Sequence, residues 1–221
     1  MAVPSSTPLE RCARCPRLVA LRREVLSRHP DYHAAPVPAW GSRRARMLIV
    51  GLAPGMHGAN RTGRPFTGDA SGDFLFRALH RAGFADSDQA VTATLLGCRI
   101  TNAVKCLPPE NRPVAKEIAN CAPYLVEELA ELCGVRPRRP RVILCLGRLA
   151  HEAVAKTVLS LAMRGAAGSI LPFGHGRCAE ISPRTHLLDT YHPSRQNTNT
   201  GRLTERMLDE VMLKARELLV G

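Results

Sequence analysis

Apolar residues along this chain fall into two kinds of run. Met47-Leu48-Ile49-Val50 and Val142-Ile143-Leu144-Cys145-Leu146 are short and unbroken, and each ends in a glycine, Gly51 or Gly147. Such runs read as strands of a parallel sheet buried on both faces. Ile100 to Val104 and His186 to Thr190 predict two more strands. Elsewhere the apolar positions recur at helical spacing. Leu18, Leu21 and Val25 share one side of a helix over 12–28. Phe74, Leu75, Ala78, Leu79 and Ala82 mark a second helix, closed by Gly83. Val114, Ile118, Cys121, Leu125 and Leu132 follow Pro113, a fourth helix spans 148–161, and Leu203, Met207, Val211 and Leu218 mark a closing helix. Alternating strands and helices predict an α/β fold with a mostly parallel sheet covered on both faces.

Between these elements lie the segments where function is expected. Residues 1–11 read as a flexible tail, 29–42 as a loop and 165–176 as a hairpin or loop. Residues 51–72 form a long loop with six glycines, and 191–201 a polar one. In open parallel sheets, sites form beyond the carboxyl ends of strands, which directs attention to the loops after Val50, Ile100 and Leu188. No internal repeat divides the chain, so 1–221 is read as one domain. No apolar run is long enough to span a membrane. The N-terminus has no basic segment followed by an apolar one, so the cytoplasm is the expected location. A monomer is the simplest expectation.

Charge narrows the partner. Thirty-one Lys and Arg against 19 Asp and Glu leave a formal net charge of +12. That balance suits a polyanion such as nucleic acid, although it also serves solubility. Eight cysteines in a chain expected in the cytoplasm argue against a disulfide framework. Cys12 and Cys15 form a C-x2-C pair, and Cys106 and Cys121 a wider one. Four thiolates can close a zinc site or hold a [4Fe–4S] cluster, and the spacing leaves both open. Cys98, Cys133, Cys145 and Cys178 read as buried small hydrophobes.

Three blocks carry a family resemblance: GLAPGMHGANRTGRPFTGD (51–69), ITNAVKCLPPENRP (100–113) with Cys121 downstream, and YHPSRQNTNTGRLT (191–204). With them the chain resembles the iron–sulfur uracil-DNA glycosylases, most closely family 5, with family 4 the next nearest. The resemblance implies a three-layer α/β/α sandwich and a [4Fe–4S] cluster on Cys12, Cys15, Cys106 and Cys121. It also implies excision of uracil from DNA, with hypoxanthine and other deaminated bases as further substrates.

Such an enzyme must flip a nucleotide out of the duplex and enclose its base. Phe66 suits the stacking face, although a core anchor is the ordinary use of a loop Phe. Asn102 offers a donor and an acceptor that match O4 and N3–H of uracil, and it is counted with the catalytic groups. His192, neutral or protonated, suits stabilisation of the negative charge that develops on O2. His29, His80 and His151 read as surface or core residues. Gly51, Ala53 and Gly55 let backbone approach the base. Ser194, Arg195, Asn197, Asn199 and Arg202 suit contacts to DNA, and Arg195 or Leu203 suits the gap left by the flipped base. The attacking water raises a difficulty. Many relatives carry an acid directly after the first glycine of the first block, and here that position is Leu52. Asp69 is the nearest substitute, with a helix cap as its ordinary role, and Asn60 is a second candidate. Two rival readings remain: a nucleotide-binding α/β protein, which lacks the phosphate-loop motifs, and a non-catalytic iron–sulfur DNA-binding or sensor protein.

Overall fold

The computed structural model describes residues 8–133, 139–160 and 172–220. Leu9–Arg11 forms one 3-10 turn, so the expected tail is ordered from Pro8 onward, and residues 1–7 lie outside the described residues. Helix α1 (Pro16–Arg28) starts later than expected, because Pro16 sits at its first turn, where no amide hydrogen is needed. A two-residue strand, β1 (Trp40–Gly41), lies inside the expected loop 29–42. It is followed by β2 (Met47–Gly51), a single turn α2 (Ala59–Thr62), α3 (Ala70–Arg81) and β3 (Cys98–Asn102). The chain continues through α4 (Ala115–Cys133), β4 (Arg141–Leu146), α5 (Arg148–Ser160), β5 (Cys178–Ser182) and β6 (Thr185–Thr190). It closes with α6 (Arg195–Asn199) and α7 (Glu205–Val220).

The six strands form one sheet in the order β1-β3-β2-β4-β6-β5. The inner four are parallel, and the two edge strands run antiparallel to their neighbours. Side chains of a strand alternate between faces, and this splits the core in two. Met47, Ile49, Ile100, Val142, Leu144 and Leu188 pack beneath α3 and α7. Leu48, Val50, Ile143, Cys145 and Leu187 pack beneath α4 and α5. The result is the expected three-layer sandwich.

Two more expectations change, at the third strand and in the polar loop. The third strand ends at Asn102, not Val104, because β2 ends opposite it at Gly51. The Ala103 and Val104 amides still donate to Gly51 O and Leu52 O, both at 2.9 Å. Of the segment 165–176, residues 165–171 lie outside the described residues and 172–176 are loop, while β5 follows as an edge strand paired with β6. Ser194 accepts from the Asn197 amide and so starts a short helix in the middle of the expected polar loop. Among the described residues no helix is long and apolar enough to cross a membrane.

Candidate active site

The four parallel strands end at Gly51, Asn102, Leu146 and Thr190, and the loops beyond β2, β3 and β6 enclose a cavity of about 440 Å³. Ala53, Gly55, Phe66, Asp69, Asn102, His192 and Ser194 all line it. Residues from three separate blocks of sequence are thus brought to one wall-to-wall site.

Gly51 lies behind the cavity. A Cβ there would stand 2.5 Å from Asn102 Oδ1 and 2.6 Å from Phe66 Cε2, so the missing side chain is what allows both groups their positions. Asn102 is 2% exposed, and its Oδ1 has no hydrogen-bond partner. A buried unpaired acceptor is costly unless a ligand satisfies it. Phe66 is buried but holds a left-handed backbone, φ 56°, which is unusual for a bulky residue. The stretch around it is fixed from both sides. Gly72 packs against the Phe66 carbonyl, leaving no room for a Cβ, while Thr67 Oγ1 donates to Arg64 O at 2.9 Å. Arg64 in turn lies over the Trp40 ring at 3.7 Å.

Asp69 serves two purposes. Its Oδ1 accepts from the Gly72 amide at 3.0 Å and caps α3. Its Oδ2 faces the backbone of Gly55 and Gly58, and a Cβ on Gly58 would collide with it. The capping role weighed for this residue is therefore real, and the carboxylate still lines the cavity. Leu52 contributes an apolar patch to the same wall. Asn60 is fully buried with both side-chain polar atoms unpaired, and it does not line the cavity.

His192 stands 5.8 Å from Phe66, centroid to centroid. Burial lowers its imidazole from 6.5 to about 4, which favours the neutral form at pH 7. Gly147, φ 93°, makes room for it: a Cβ there would sit 3.1 Å from His192 Cβ. Asn197 Nδ2 donates to His192 O at 2.8 Å, so this residue braces the histidine from behind. Arg195, Asn199 and Arg202 are exposed outside the cavity, with Arg202 over the Tyr191 ring at 4.8 Å. Leu203 is 1% exposed in the core beneath α7, which removes it as a candidate for the gap in the duplex. His151 is buried and bonded to Asp189 at 2.8 Å, a core histidine as expected.

Away from this cavity, Cys12, Cys15, Cys106 and Cys121 converge on one small void between α1, α4 and the segment after β3. The Lys105 amide points at Cys121 Sγ (3.4 Å) and Asn120 Nδ2 at Cys15 Sγ (3.4 Å). Among the described residues, no group of three or more His, Cys, Asp or Glu is arranged for a single metal ion. The four cysteines are thus gathered at one place, two of their sulfurs with N–H donors, and such a set can hold a zinc ion or an iron–sulfur cluster. Burial pushes the free Cys106 thiol up to about 12 and also raises Cys121, so metal binding here must displace protons. Cys98, Cys133 and Cys145 are buried elsewhere, while Cys178 on the edge strand is only half-buried.

Sequence reasoning missed Ser71, Asn111 and Gln196, which also line the cavity, and the space left by Gly147. Gly147 carried a signal, a glycine directly after a buried strand. Asn111 carried another, an unassigned Asn in a proline-bracketed turn.

Comparison with known proteins accords with this arrangement. The Uracil DNA glycosylase superfamily profile matches residues 38–216. A Type-5 uracil-DNA glycosylase of Thermus thermophilus is 46% identical over 218 residues, covering 95% of this chain and 94% of that protein. In Pyrobaculum aerophilum a protein of the same name is 43% identical, covering 94% of this chain and 88% of its own. A Type-4 uracil-DNA glycosylase of that organism reaches 33% over 74% of each chain. The chain therefore belongs to the uracil DNA glycosylase superfamily, on the side of its type-5 members.

Proposed function

We propose that this protein excises uracil from DNA by hydrolysing the N-glycosidic bond, leaving an abasic site. The observation that carries the reading is the buried, unpaired Asn102 Oδ1 in a cavity closed on one side by Phe66. Uracil stacked on Phe66 places N3–H against that oxygen and O4 against the Asn102 amide. Cytosine offers an acceptor at N3 and a donor at N4, and so leaves both groups mispaired. Cleavage moves negative charge onto O2 of the departing base. A neutral His192 donates a hydrogen bond there without having to lose its own charge, the preorganised arrangement that best stabilises such a transition state. Asp69 Oδ2, held by the cap on its other oxygen, is the group placed to orient water.

The same proposal assigns a [4Fe–4S] cluster to Cys12, Cys15, Cys106 and Cys121. Bound there, the cluster supplies a covalent tie between the N-terminal segment and α4. The four residues hold it, and excision uses none of them. Hypoxanthine and other deaminated bases extend the proposal, since hypoxanthine also presents a carbonyl beside a ring N–H.

The test is excision from a duplex with one uracil, read after alkaline cleavage at the abasic site. Cleavage by the wild-type chain and its loss in Asn102→Ala support the reading. A wild-type rate in Asn102→Ala would remove Asn102 from base recognition. An inert wild-type chain that still binds DNA would favour the sensor reading.

A further inference from the structure

Beyond these roles, we infer that Arg64 is a positioning residue for base recognition: its guanidinium fixes the Phe66 stacking face against the strand that carries Asn102. The inference rests on the glycosylase reading of the cavity and adds to it a residue that acts through Phe66.

The first sequence block supplies Phe66 and Asp69 and leaves Arg64 without a role in the chemistry. Arg64 does not line the cavity, whereas Phe66, two residues on, does. Phe66 keeps a left-handed backbone, φ 56°, which a bulky residue abandons unless its surroundings hold it there. Local bonds shape the turn. Thr67 Oγ1 donates to Arg64 O at 2.9 Å across Pro65 and Phe66, and the Arg64 amide donates to Thr62 Oγ1 at 3.3 Å. The two hydroxyls stand 2.5 Å apart. All these bonds lie within residues 62–67, so they define the shape of the turn and leave its place on the sheet to other contacts.

Gly72 of α3 packs against the Phe66 carbonyl, and the Arg64 side chain supplies the tie to the sheet. Its guanidinium carbon lies 3.7 Å from the centre of the Trp40 ring. Trp40 belongs to β1, where it pairs with Ile100 of β3, and β3 ends at Asn102 two residues later. The same ring is stacked on the fully buried Phe76 of α3, with centroids 5.6 Å apart. Arg64 Nη1 and Nη2 donate to Val91 O at 2.9 Å and Ala93 O at 3.2 Å, in the loop between α3 and β3. Among the described residues no carboxylate pairs with this guanidinium, and its Nε is buried without an acceptor. A lysine or an aliphatic residue would avoid the cost of that orphaned N–H. Neither could lie over a ring while forking onto two carbonyls, which fixes orientation as well as place.

Stacking and edge recognition thus share one frame. Phe66 lies two residues from Arg64, and Asn102 two residues from the sheet partner of Trp40. A base that stacks on the first must meet the second, so the spacing between them decides whether both contacts form at once. Loss of the guanidinium leaves the turn intact within itself and free to shift against β3.

The test is a double-mutant cycle on single-turnover uracil excision: wild type, Arg64→Met, Phe66→Ala and the double variant, with Arg64→Lys alongside. Arg64→Met, assayed at a temperature where its melt shows it folded, is expected to slow excision by about 10²-fold, the scale of a misplacement near 1 Å. Its affinity for the same duplex with thymidine in place of the uridine should not change. In the Phe66→Ala background the same substitution should cost less than about threefold, because a brace that acts through Phe66 has nothing left to place. Arg64→Lys should be as slow as Arg64→Met. Effects that multiply in the double variant would reduce Arg64 to a general stabiliser and overturn the inference, as would a wild-type rate in Arg64→Met or Arg64→Lys. If Arg64→Met does not fold, Arg64→Gln, which keeps one donor group, carries the same cycle with an expected loss of about tenfold. Wild-type protein inert on uracil DNA would instead overturn the glycosylase reading beneath it.

Discussion

Substituting Gly51 by Ala adds one methyl group at the point where the base-reading and stacking side chains meet. The new Cβ would stand 2.5 Å from Asn102 Oδ1, and 2.6 and 2.8 Å from Phe66 Cε2 and Cζ. Ordinary contacts are about 3.5 Å, so each neighbour must retreat by roughly 0.7 to 1 Å. Neither can do so backward. Asn102 is 2% exposed and Phe66 7%, and Gly72 packs against the Phe66 carbonyl. Both must move toward the cavity or swing within it. A misplacement of about 1 Å costs on the order of 10²-fold in rate. Overpacking should destabilise by about 1–3 kcal/mol, partly offset by the reduced freedom of the unfolded chain when Gly becomes Ala, about 0.4–1 kcal/mol. The expected phenotype is a folded protein, slightly less stable, with single-turnover uracil excision reduced by about 10²-fold. Enzyme-excess kinetics beside a thermal melt read both quantities. A folded Gly51→Ala protein that excises uracil within about threefold of wild type would falsify the close Gly51–Asn102–Phe66 packing on which base recognition is argued.

Three further outcomes follow from the same geometry. Asp69→Asn should cut single-turnover excision by about 10²-fold with little change in melting temperature, because Asn caps a helix about as well as Asp; an unchanged rate would leave Asp69 as a cap alone. His192, lowered by burial from 6.5 to about 4, should contribute no titration step to the rate between roughly pH 6 and 8. Because the unfolded chain holds the extra proton between about pH 4 and 6.5, the stability tied to neutral His192 is complete above about 6.5 and is lost as pH falls toward 4. A wild-type rate step near 6.5 that vanishes in His192→Gln would contradict the burial argument. Purified protein should contain iron and acid-labile sulfide, and Cys12→Ala should lose iron and melt lower; zinc without iron in protein prepared anaerobically would remove the cluster.

The layers of the fold were legible because each inner strand is a continuous apolar run and each helix has an apolar stripe. Edge elements were not. Cys178-Ala179-Glu180-Ile181-Ser182 is half exposed and mixed in character, since an edge strand needs only one hydrogen-bonded neighbour and one buried face. The site was partly legible. Phe66, Asn102, Asp69 and His192 stood out through motif resemblance, and the cavity brings them together. What could not be read was the division of labour within a motif. Asn197 looks like a DNA contact in sequence, yet its amide is bonded to the carbonyl of His192. Leu203 looks like a probe, yet it is 1% exposed in the core. The first outcome depends on which way the five-residue helix α6 turns its sides, and so few polar residues carry too little periodicity to say; the second depends on how the turn between α6 and α7 packs onto the core.

Where strain is concentrated suggests how the site works with an apolar residue at position 52. Among the described residues five non-glycines hold left-handed backbone, and Phe66, Glu110 and Asn111 are three of them. All three lie at the cavity or beside a residue that lines it, and each has its own brace: Gly72, Thr67 and Arg64 for the first, Arg17 and Glu117 for the other two. Braces of this kind fix the pocket before substrate arrives, so little reorganisation is needed when charge develops on the base. Leu52 would then favour the proposed chemistry. On the proposed mechanism, an apolar wall would keep water and its dielectric screening away from a His192–O2 hydrogen bond and so strengthen it. A carboxylate at the same place would attract the cationic sugar but would also repel the negative base and draw water inward. With cleavage driven by stabilisation of the departing base, the nucleophile needs only to be oriented. On the proposed mechanism, an aspartate already engaged as a helix cap, with one oxygen left over, would be sufficient for that task.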